Sequence, residues 1–183
     1  MTPCFAYATE TMQLVRLRLR YNRESMEPSA FDELEFFRAV HTSGARALLI
    51  GRRALVLLGL PVLTADYDFW IAIDDISAFN AVCQPFGLMP SRTPEDARRT
   101  GRYVLENDEH VDVLVARSVP TVDGRTVEFQ PLWDRRRPIR LGGGVEVNVP
   151  TIDDLILTKE VASRPKDIED IRLLNALRTE PKE

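Results

Sequence analysis

The sequence predicts an α/β domain in which helices flank a β-sheet. Between Phe31 and Ile73, amphipathic segments of helix length alternate with apolar runs of strand length, in the order helix, strand, helix, strand. Two later segments, 102–116 and 139–149, have the pattern of β-hairpins, because paired apolar runs flank a short polar or glycine turn. With 183 residues, of which 44% are hydrophobic, the chain is long enough for one globular domain of this kind.

We expect residues 28–183 to form that domain, with C-terminal helices from about residue 151, and residues 1–27 to be an N-terminal appendage. The appendage alternates apolar residues with arginines between Val15 and Tyr21, which is typical of an edge strand with a basic face. No run approaches the roughly 20 apolar residues that cross a bilayer, and the N-terminus lacks the order of a signal peptide. These features predict a cytoplasmic protein without a membrane partner.

The net charge weakens the case for a nucleic-acid partner without excluding it, and the cysteines indicate neither a metal site nor a disulfide framework. The net charge is −4, from 28 acidic and 24 basic residues, so no overall positive field predicts a nucleic-acid partner. Arginines nevertheless cluster locally at 16–20, 98–102 and 135–140. Cys4 and Cys83 have neither metal-ligand spacing nor the spacing of a disulfide framework.

The segment between Ala47 and Ile73 is the most informative part of the chain. An apolar run, Ala47–Ile50, predicts a buried strand, and Gly51 separates it from a helix over Arg52–Leu58 that we expect to be buried against the sheet. Glycine and proline then end this helix, and Leu63–Ile73 has the composition of a second strand.

Two aspartates interrupt that second strand. Alternation would place Thr64, Asp66, Asp68 and Trp70 on one face, with successive members roughly 6.6 Å apart. Carboxylates at this spacing can hold two divalent ions about 3.5–4 Å apart, an arrangement used for in-line phosphoryl transfer. The glycine turn upstream would supply backbone N–H groups for a triphosphate. The simpler alternative for the aspartates is a solvated edge strand.

The first helical residues after Gly51 are both cations. Arg52 and Arg53 oppose the helix dipole unless an anion compensates them. A bound triphosphate would be such an anion, whereas ion pairing or solvent is the plainer expectation, and we favour it for Arg53.

A third aspartate lies in the second strand of the first hairpin, His110–Ala116. Asp112 stands between valines, and a carboxylate in such an apolar strand is costly to bury unless it binds something positive. The alternative is a surface strand with Asp112 facing water.

These residues resemble the polymerase-β-like nucleotidyltransferases, in particular the small bacterial abortive-infection (AbiEii-type) group. That group carries Gly-Gly-x-Ala, a glycine at the end of the helix, and then Arg-x-Thr-x-Asp-x-Asp. The matching residues here are Gly51, Ala54, Gly59, Pro61, Thr64, Asp66 and Asp68, and Asp112 matches a third aspartate of the group on a neighbouring strand. This chain has Arg52 in place of the second glycine or serine, and Val62 in place of the arginine.

The C-terminal segment TIDDLILTKEVASRPKDIEDIRLL also resembles this group. Thr151 caps one predicted helix, and Pro165 begins another that we expect to carry Ile168, Ile171 and Leu174 along its apolar side. By the resemblance, Lys159 reaches the nucleotide phosphates and Asp167 orients a basic residue. A solvated position on the helix is the alternative for Lys159.

The resemblance implies the nucleotidyltransferase fold, a mixed, mostly antiparallel sheet flanked by helices. It implies transfer of a nucleoside monophosphate from an NTP to a hydroxyl of an RNA end, a protein or a small molecule. Because little of the chain remains for a large acceptor domain, we expect a partner subunit to supply acceptor surface. The implied cofactor is Mg²⁺ or Mn²⁺. The implied metal and catalytic residues are Asp66, Asp68 and Asp112, and the implied nucleotide-binding residues are Gly51, Arg52, Thr64 and Lys159.

A second function class stays open. The bulky Arg52 can obstruct the approach of phosphates to the backbone, which favours a catalytically weak or inactive nucleotide-binding or partner-binding protein. Alternatively, its guanidinium can bind the phosphates in place of the arginine replaced by Val62. The resemblance also raises the hypothesis of a toxin–antitoxin component.

Overall fold

A mixed five-stranded sheet lies at the centre of the computed structural model, which describes residues 31–179. Its strands are β1 (Ala47–Ile50), β2 (Tyr67–Ile71), β3 (Met89–Pro90), β4 (Arg102–Glu106) and β5 (His110–Leu114). Their order is β1-β2-β5-β4-β3, and only the β2–β5 pair of this sheet is parallel. The predicted mixed, mostly antiparallel sheet is therefore confirmed.

Helices and two small hairpins surround the sheet. The helices are α1 (Glu33–Thr42), α2 (Gly51–Leu57), α3 (Ile76–Cys83), α4 (Pro94–Thr100), α5 (Phe129–Asp134), α6 (Ile152–Glu160) and α7 (Pro165–Thr179). The hairpins pair β6 (Ser118–Pro120) with β7 (Thr126–Glu128), and β8 (Arg137–Arg140) with β9 (Glu146–Val149). Residues 33–179 belong to one compact unit, whereas the predicted appendage, 1–27, lies outside the described residues. No helix within 31–179 is long and apolar enough to cross a membrane.

Both faces of the sheet are covered, which is why β2 is apolar on both sides. On one face, Phe36 of α1 and Phe79 of α3 lie within 6.0 Å, centroid to centroid, of the Phe69 ring. On the other face, Trp70 packs with Phe129 and Leu132 of α5 in a buried cluster. The alternative of a solvated edge strand is wrong for Asp68, because β2 lies between β1 and β5, whereas Asp66 lies before β2 and is exposed.

Two local expectations need correction. The strand predicted over Leu63–Ile73 begins only at Tyr67, and the preceding loop leaves Leu63 91% exposed. Finally, α2 buries Ala54 and Leu55 but leaves Val56 36% exposed, so its burial is one-sided.

The two C-terminal helices have the predicted start signals. Thr151 precedes α6, and its hydroxyl accepts a 3.2 Å hydrogen bond from the backbone N–H of Asp154. Ser163, in the break between the helices, has a positive φ of 47°. Pro165 then begins α7, as its fixed φ favours.

Trp70→Phe is expected to lower the free energy of unfolding by about 1–3 kcal/mol, because it leaves the partly buried carbonyl of Ala116 without its donor. The indole N–H of Trp70 donates to that oxygen at 2.8 Å, and the side chain is fully buried. Trp133→Phe is the matched control, since this tryptophan is only partly buried and stacks on Phe129. Urea unfolding followed by circular dichroism should show the larger loss for Trp70→Phe, and equal losses would contradict this packing.

Candidate active site

Two carboxylates stand side by side where the parallel strands meet. Asp68 on β2 and Asp112 on β5 are direct partners in the strand register. Their side chains therefore point to the same face of the sheet, on strands about 4.7–4.9 Å apart. Asp68 is half-buried and Asp112 is 53% exposed. The predicted pair of Asp68 and Asp112 is thus brought together by the fold, with Asp112 on the solvent side.

Gly51 lies directly against the side chain of Asp68. It follows β1 directly, and its φ of +66° lies in the left-handed region that favours glycine. A Cβ at this position would come within 2.8 Å of the Asp68 Cβ and would overlap the carboxylate. Glycine is therefore required here for two reasons, the backbone conformation and the close approach of Asp68.

The surroundings of Asp68 disfavour its ionised form. Burial, and after it the negative charge of Asp112, raise the pKa of Asp68 above its ordinary value, and the charge of Lys159 opposes the shift. An ionised Asp68 is therefore unfavourable in the folded protein by itself. A cation bound between the two carboxylates would reverse that preference.

Asp66 lies in the loop, one residue before β2, and is exposed. Its backbone N–H donates to the Thr64 hydroxyl at 3.2 Å, so Thr64 shapes the turn that carries Asp66. Within residues 31–179, no three His, Cys, Asp or Glu side chains form a group that could hold a metal ion. Asp66 and Thr64 are next to the carboxylate pair in sequence, but they are not part of a preformed metal cage.

A second cluster of charges joins α2 to the C-terminal helices. Asp170 on α7 is fully buried and accepts hydrogen bonds from the Lys159 ammonium at 2.8 Å and from Arg52 Nε at 3.1 Å. Lys159 is 6% exposed, so the alternative of a solvated position is wrong. The anion that faces Arg52 at the start of α2 is thus a carboxylate of the protein itself.

Asp167 holds a basic residue, as expected. It is buried and accepts hydrogen bonds from the backbone N–H and the Nε of Arg164 at 3.0 and 2.8 Å. Burial acts to raise the pKa of Asp167, but these hydrogen bonds and the nearby charges outweigh it and lower the pKa. The hydrogen bond to Asp167 raises the pKa of Arg164, and the charges of Asp68 and Asp112 add to that shift. Arg164 is therefore within electrostatic reach of the carboxylate pair.

The buried side of α7 differs from the predicted apolar side. Its buried residues are Asp167, Asp170 and Leu174, whereas Ile168 is 48% exposed. Two acidic side chains can take core positions here because Lys159 and two arginines neutralise them. Asp170 was not among the residues singled out from the sequence, although its spacing of three residues from Asp167, on a helix that begins at a proline, is a signal that could have indicated it.

Arg102 is a further residue of the site that the sequence did not reveal. A cleft of about 120 Å³ is lined by Asp68, Asp112 and Arg102 together with apolar side chains including Ile50 and Leu114. Arg102 faces Leu114 in the β4–β5 register, two positions along from the partner of Asp112. The period-two pattern of the hairpin could have placed it on the same face.

This arrangement belongs to a known fold. The chain has the fold of nucleotidyltransferases, as its similarity to solved structures of such proteins shows. TM1012 from Thermotoga maritima, a proposed nucleotidyltransferase, has a TM-score of 0.53 at 15% identity over 80% of this chain and 90% of its own.

The antibiotic-resistance factor ANT(2'')-Ia is similar to the same extent. Its solution structure has a TM-score of 0.54 at 14% identity, covering 78% of this chain and 85% of that one. Its crystal structure with adenylyl-2''-tobramycin has a TM-score of 0.52 at 16% identity, covering 78% of this chain and 90% of that one. No protein-family model matches the sequence, and no curated protein matches it.

Gly51→Ala is expected to destabilise the protein more than Gly59→Ala. Both glycines have positive φ, +66° and +85°, so each alanine costs about 1–2 kcal/mol of backbone strain. Only at Gly51 does the added Cβ also meet Asp68, because no described atom lies within 4 Å of a Cβ at Gly59. Thermal unfolding of the two variants measures the difference, and equal losses would contradict the close contact.

Asp68→Asn is expected to stabilise the metal-free protein at neutral pH. Because the pKa of Asp68 is raised in the folded state, the folded chain keeps a proton that the unfolded chain releases. This contribution is complete below the unfolded pKa, about 3.9, and is lost as the pH rises through the raised pKa. Asparagine cannot ionise, so the variant lacks that loss.

The measurement is urea unfolding in chelator between about pH 4 and pH 8, with the exposed turn variant Asp108→Asn as control. The advantage of Asp68→Asn over the wild type should shrink towards the acid end, while Asp108→Asn should follow the wild type throughout. A difference that is independent of pH would contradict the raised pKa.

Proposed function

We propose that this protein is a metal-dependent nucleotidyltransferase that moves a nucleoside monophosphate from an NTP to a hydroxyl acceptor. The observation that carries the proposal is the contact of Asp68 with Gly51 on one side and its register with Asp112 on the other. The nucleotidyltransferase fold supports it. The AbiEii-type subgroup and a toxin–antitoxin role stay predictions.

The donor set fits a divalent cation. Carboxylate oxygens are hard ligands, and Mg²⁺ is usually held by one or two carboxylates, waters and substrate phosphates instead of a cage made only of protein. Asp68 and Asp112 supply two such carboxylates, and Asp66 is the proposed third. Bound there, Mg²⁺ or Mn²⁺ would polarise the phosphate and stabilise the charge that develops during transfer.

The protein residues account for the remaining roles. The N-cap residue of α2, Ile50, has no side-chain acceptor for the N–H groups of the first turn, so phosphate oxygens can accept from them beside Gly51. Lys159, Arg52 and Thr64 are the proposed additional phosphate ligands. Lys159 and Arg52 both form ion pairs with Asp170. Each would contact a triphosphate either in addition to Asp170 or in place of it.

The reaction proceeds at the α-phosphorus. The acceptor oxygen forms a bond to it, and the bond to the bridging oxygen breaks, so that pyrophosphate leaves with the electron pair. Asp112 is the proposed base that takes the hydroxyl proton, because it is the solvent-facing carboxylate of the pair. The acceptor is an RNA end, a protein hydroxyl or a small molecule, and a partner subunit is proposed to supply acceptor surface.

A second candidate function is nucleotide or partner binding without efficient transfer. One observation favours it: Arg52 and Lys159 are already paired with Asp170. In that case Arg52 and Lys159 stabilise the fold, and the protein need not transfer a nucleotide.

Asp68→Asn and Asp112→Asn are each expected to weaken Mn²⁺-dependent NTP binding by about 10-fold or more, because each removes a carboxylate ligand. Calorimetric titration of each NTP with Mn²⁺ or Mg²⁺ measures the loss, and Asp108→Asn is the control of equal charge. Asp66→Asn should abolish transfer, followed as pyrophosphate release, without unfolding the protein.

The outcomes separate the two candidate functions. Metal-dependent binding with pyrophosphate release supports the transferase, whereas binding without release for RNA, protein and small-molecule acceptors favours the second candidate. The absence of binding in the wild type would contradict both nucleotide-dependent functions.

A further inference from the structure

Arg53, in the first turn of α2, points towards the loop that precedes β2. Its side chain is 17% exposed, and its guanidinium carbon lies 4.4 Å from the centre of the Tyr67 ring. One terminal nitrogen is 3.4 Å from the carbonyl oxygen of Thr64 and 3.5 Å from that of Ala65. The other is 3.2 Å from a carboxylate oxygen of Glu33 on α1. A single guanidinium therefore contacts a helix, a ring and two backbone carbonyls.

The loop that Arg53 contacts carries Asp66. Within it, the Thr64 hydroxyl accepts from the Asp66 N–H, whereas Leu63 just before is almost fully exposed. Asp66 is the last residue of this loop, since β2 begins at Tyr67, and Asp68 is the second residue of that strand. The position of this loop thus decides how Asp66 stands relative to Asp68.

We infer that Arg53 is a positioning residue, which fixes the turn 64–66 so that the Asp66 carboxylate is available to the cation proposed at Asp68 and Asp112. The inference rests on the proposed function. Arginine suits this role because its planar guanidinium can stack on Tyr67 while one terminal nitrogen donates to the carbonyls and the other forms an ion pair with Glu33. Lysine has the positive charge, but it lacks the planar group and the fixed arrangement of several N–H donors.

The experiment compares Arg53→Met, Arg53→Lys and the control Arg38→Met, which removes an arginine of α1 that pairs with Glu35 at 3.2 Å. Arg53→Met is expected to speed hydrogen exchange of the Asp66 amide and to weaken Mn²⁺ binding in the presence of NTP by about 10-fold. Arg53→Lys should fall between Arg53→Met and the wild type, and Arg38→Met should match the wild type. Circular dichroism checks that each variant is folded.

A double-mutant cycle with Asp66→Asn tests whether Arg53 acts through Asp66. If it does, Arg53→Met should change Mn²⁺ affinity by less than about twofold once Asp66 is already asparagine. Equal losses in both backgrounds, or unchanged exchange at Asp66, would overturn the inference.

Failure of the proposed function would give a different experimental result from failure of the inference about Arg53. A wild type that binds neither Mn²⁺ nor NTP would overturn both the function and the role of Asp66. Hydrogen exchange would then still show whether Arg53 holds the turn, so this failure is distinguishable from an Arg53 without influence on the loop.

Discussion

The parallel pairing of β2 with β5 is the constraint on which the site depends. It sets the half-buried Asp68 opposite the exposed Asp112, so that two carboxylates lie side by side on neighbouring strands. This arrangement is unfavourable without a cation, since burial and then the charge of Asp112 raise the pKa of Asp68 and disfavour its ionised form. The same strand pairing fixes the contact of Asp68 with Gly51, which only glycine allows. An energetically unfavourable pair of carboxylates that a β-sheet holds in place is typical of functional sites.

Asp170 connects this site to the C-terminal helices. It is a fully buried carboxylate that binds Lys159 of α6 and Arg52 of α2. Removing one partner of such a buried pair leaves an uncompensated charge, so the three helices are coupled in stability. The C-terminal segment is therefore part of the architecture around the carboxylate pair, and its acidic residues occupy positions that apolar residues take in most helices.

Two consecutive arginines connect the start of α2 to different parts of the structure. Residues next to each other on a helix point about 100° apart, so Arg52 and Arg53 face different neighbours. Arg52 reaches the C-terminal helices, and Arg53 reaches the turn before β2. The expectation that Arg53 forms an ion pair is confirmed, and Glu33 is its partner. For Arg52, the compensating anion is intramolecular, which the sequence left open.

The sequence by itself determined the order of the elements, the fold class, the glycine turn after β1 and the starts of α6 and α7, because periodicity, capping and proline act over a few neighbouring residues. It also singled out Asp66, Asp68 and Asp112 as unusual in apolar surroundings. Only the tertiary structure decided that Asp68 and Asp112 share a register while Asp66 lies outside the strand. It likewise decided that Asp170 is buried and that Arg102 lines the cleft, since both depend on contacts between residues far apart in the chain.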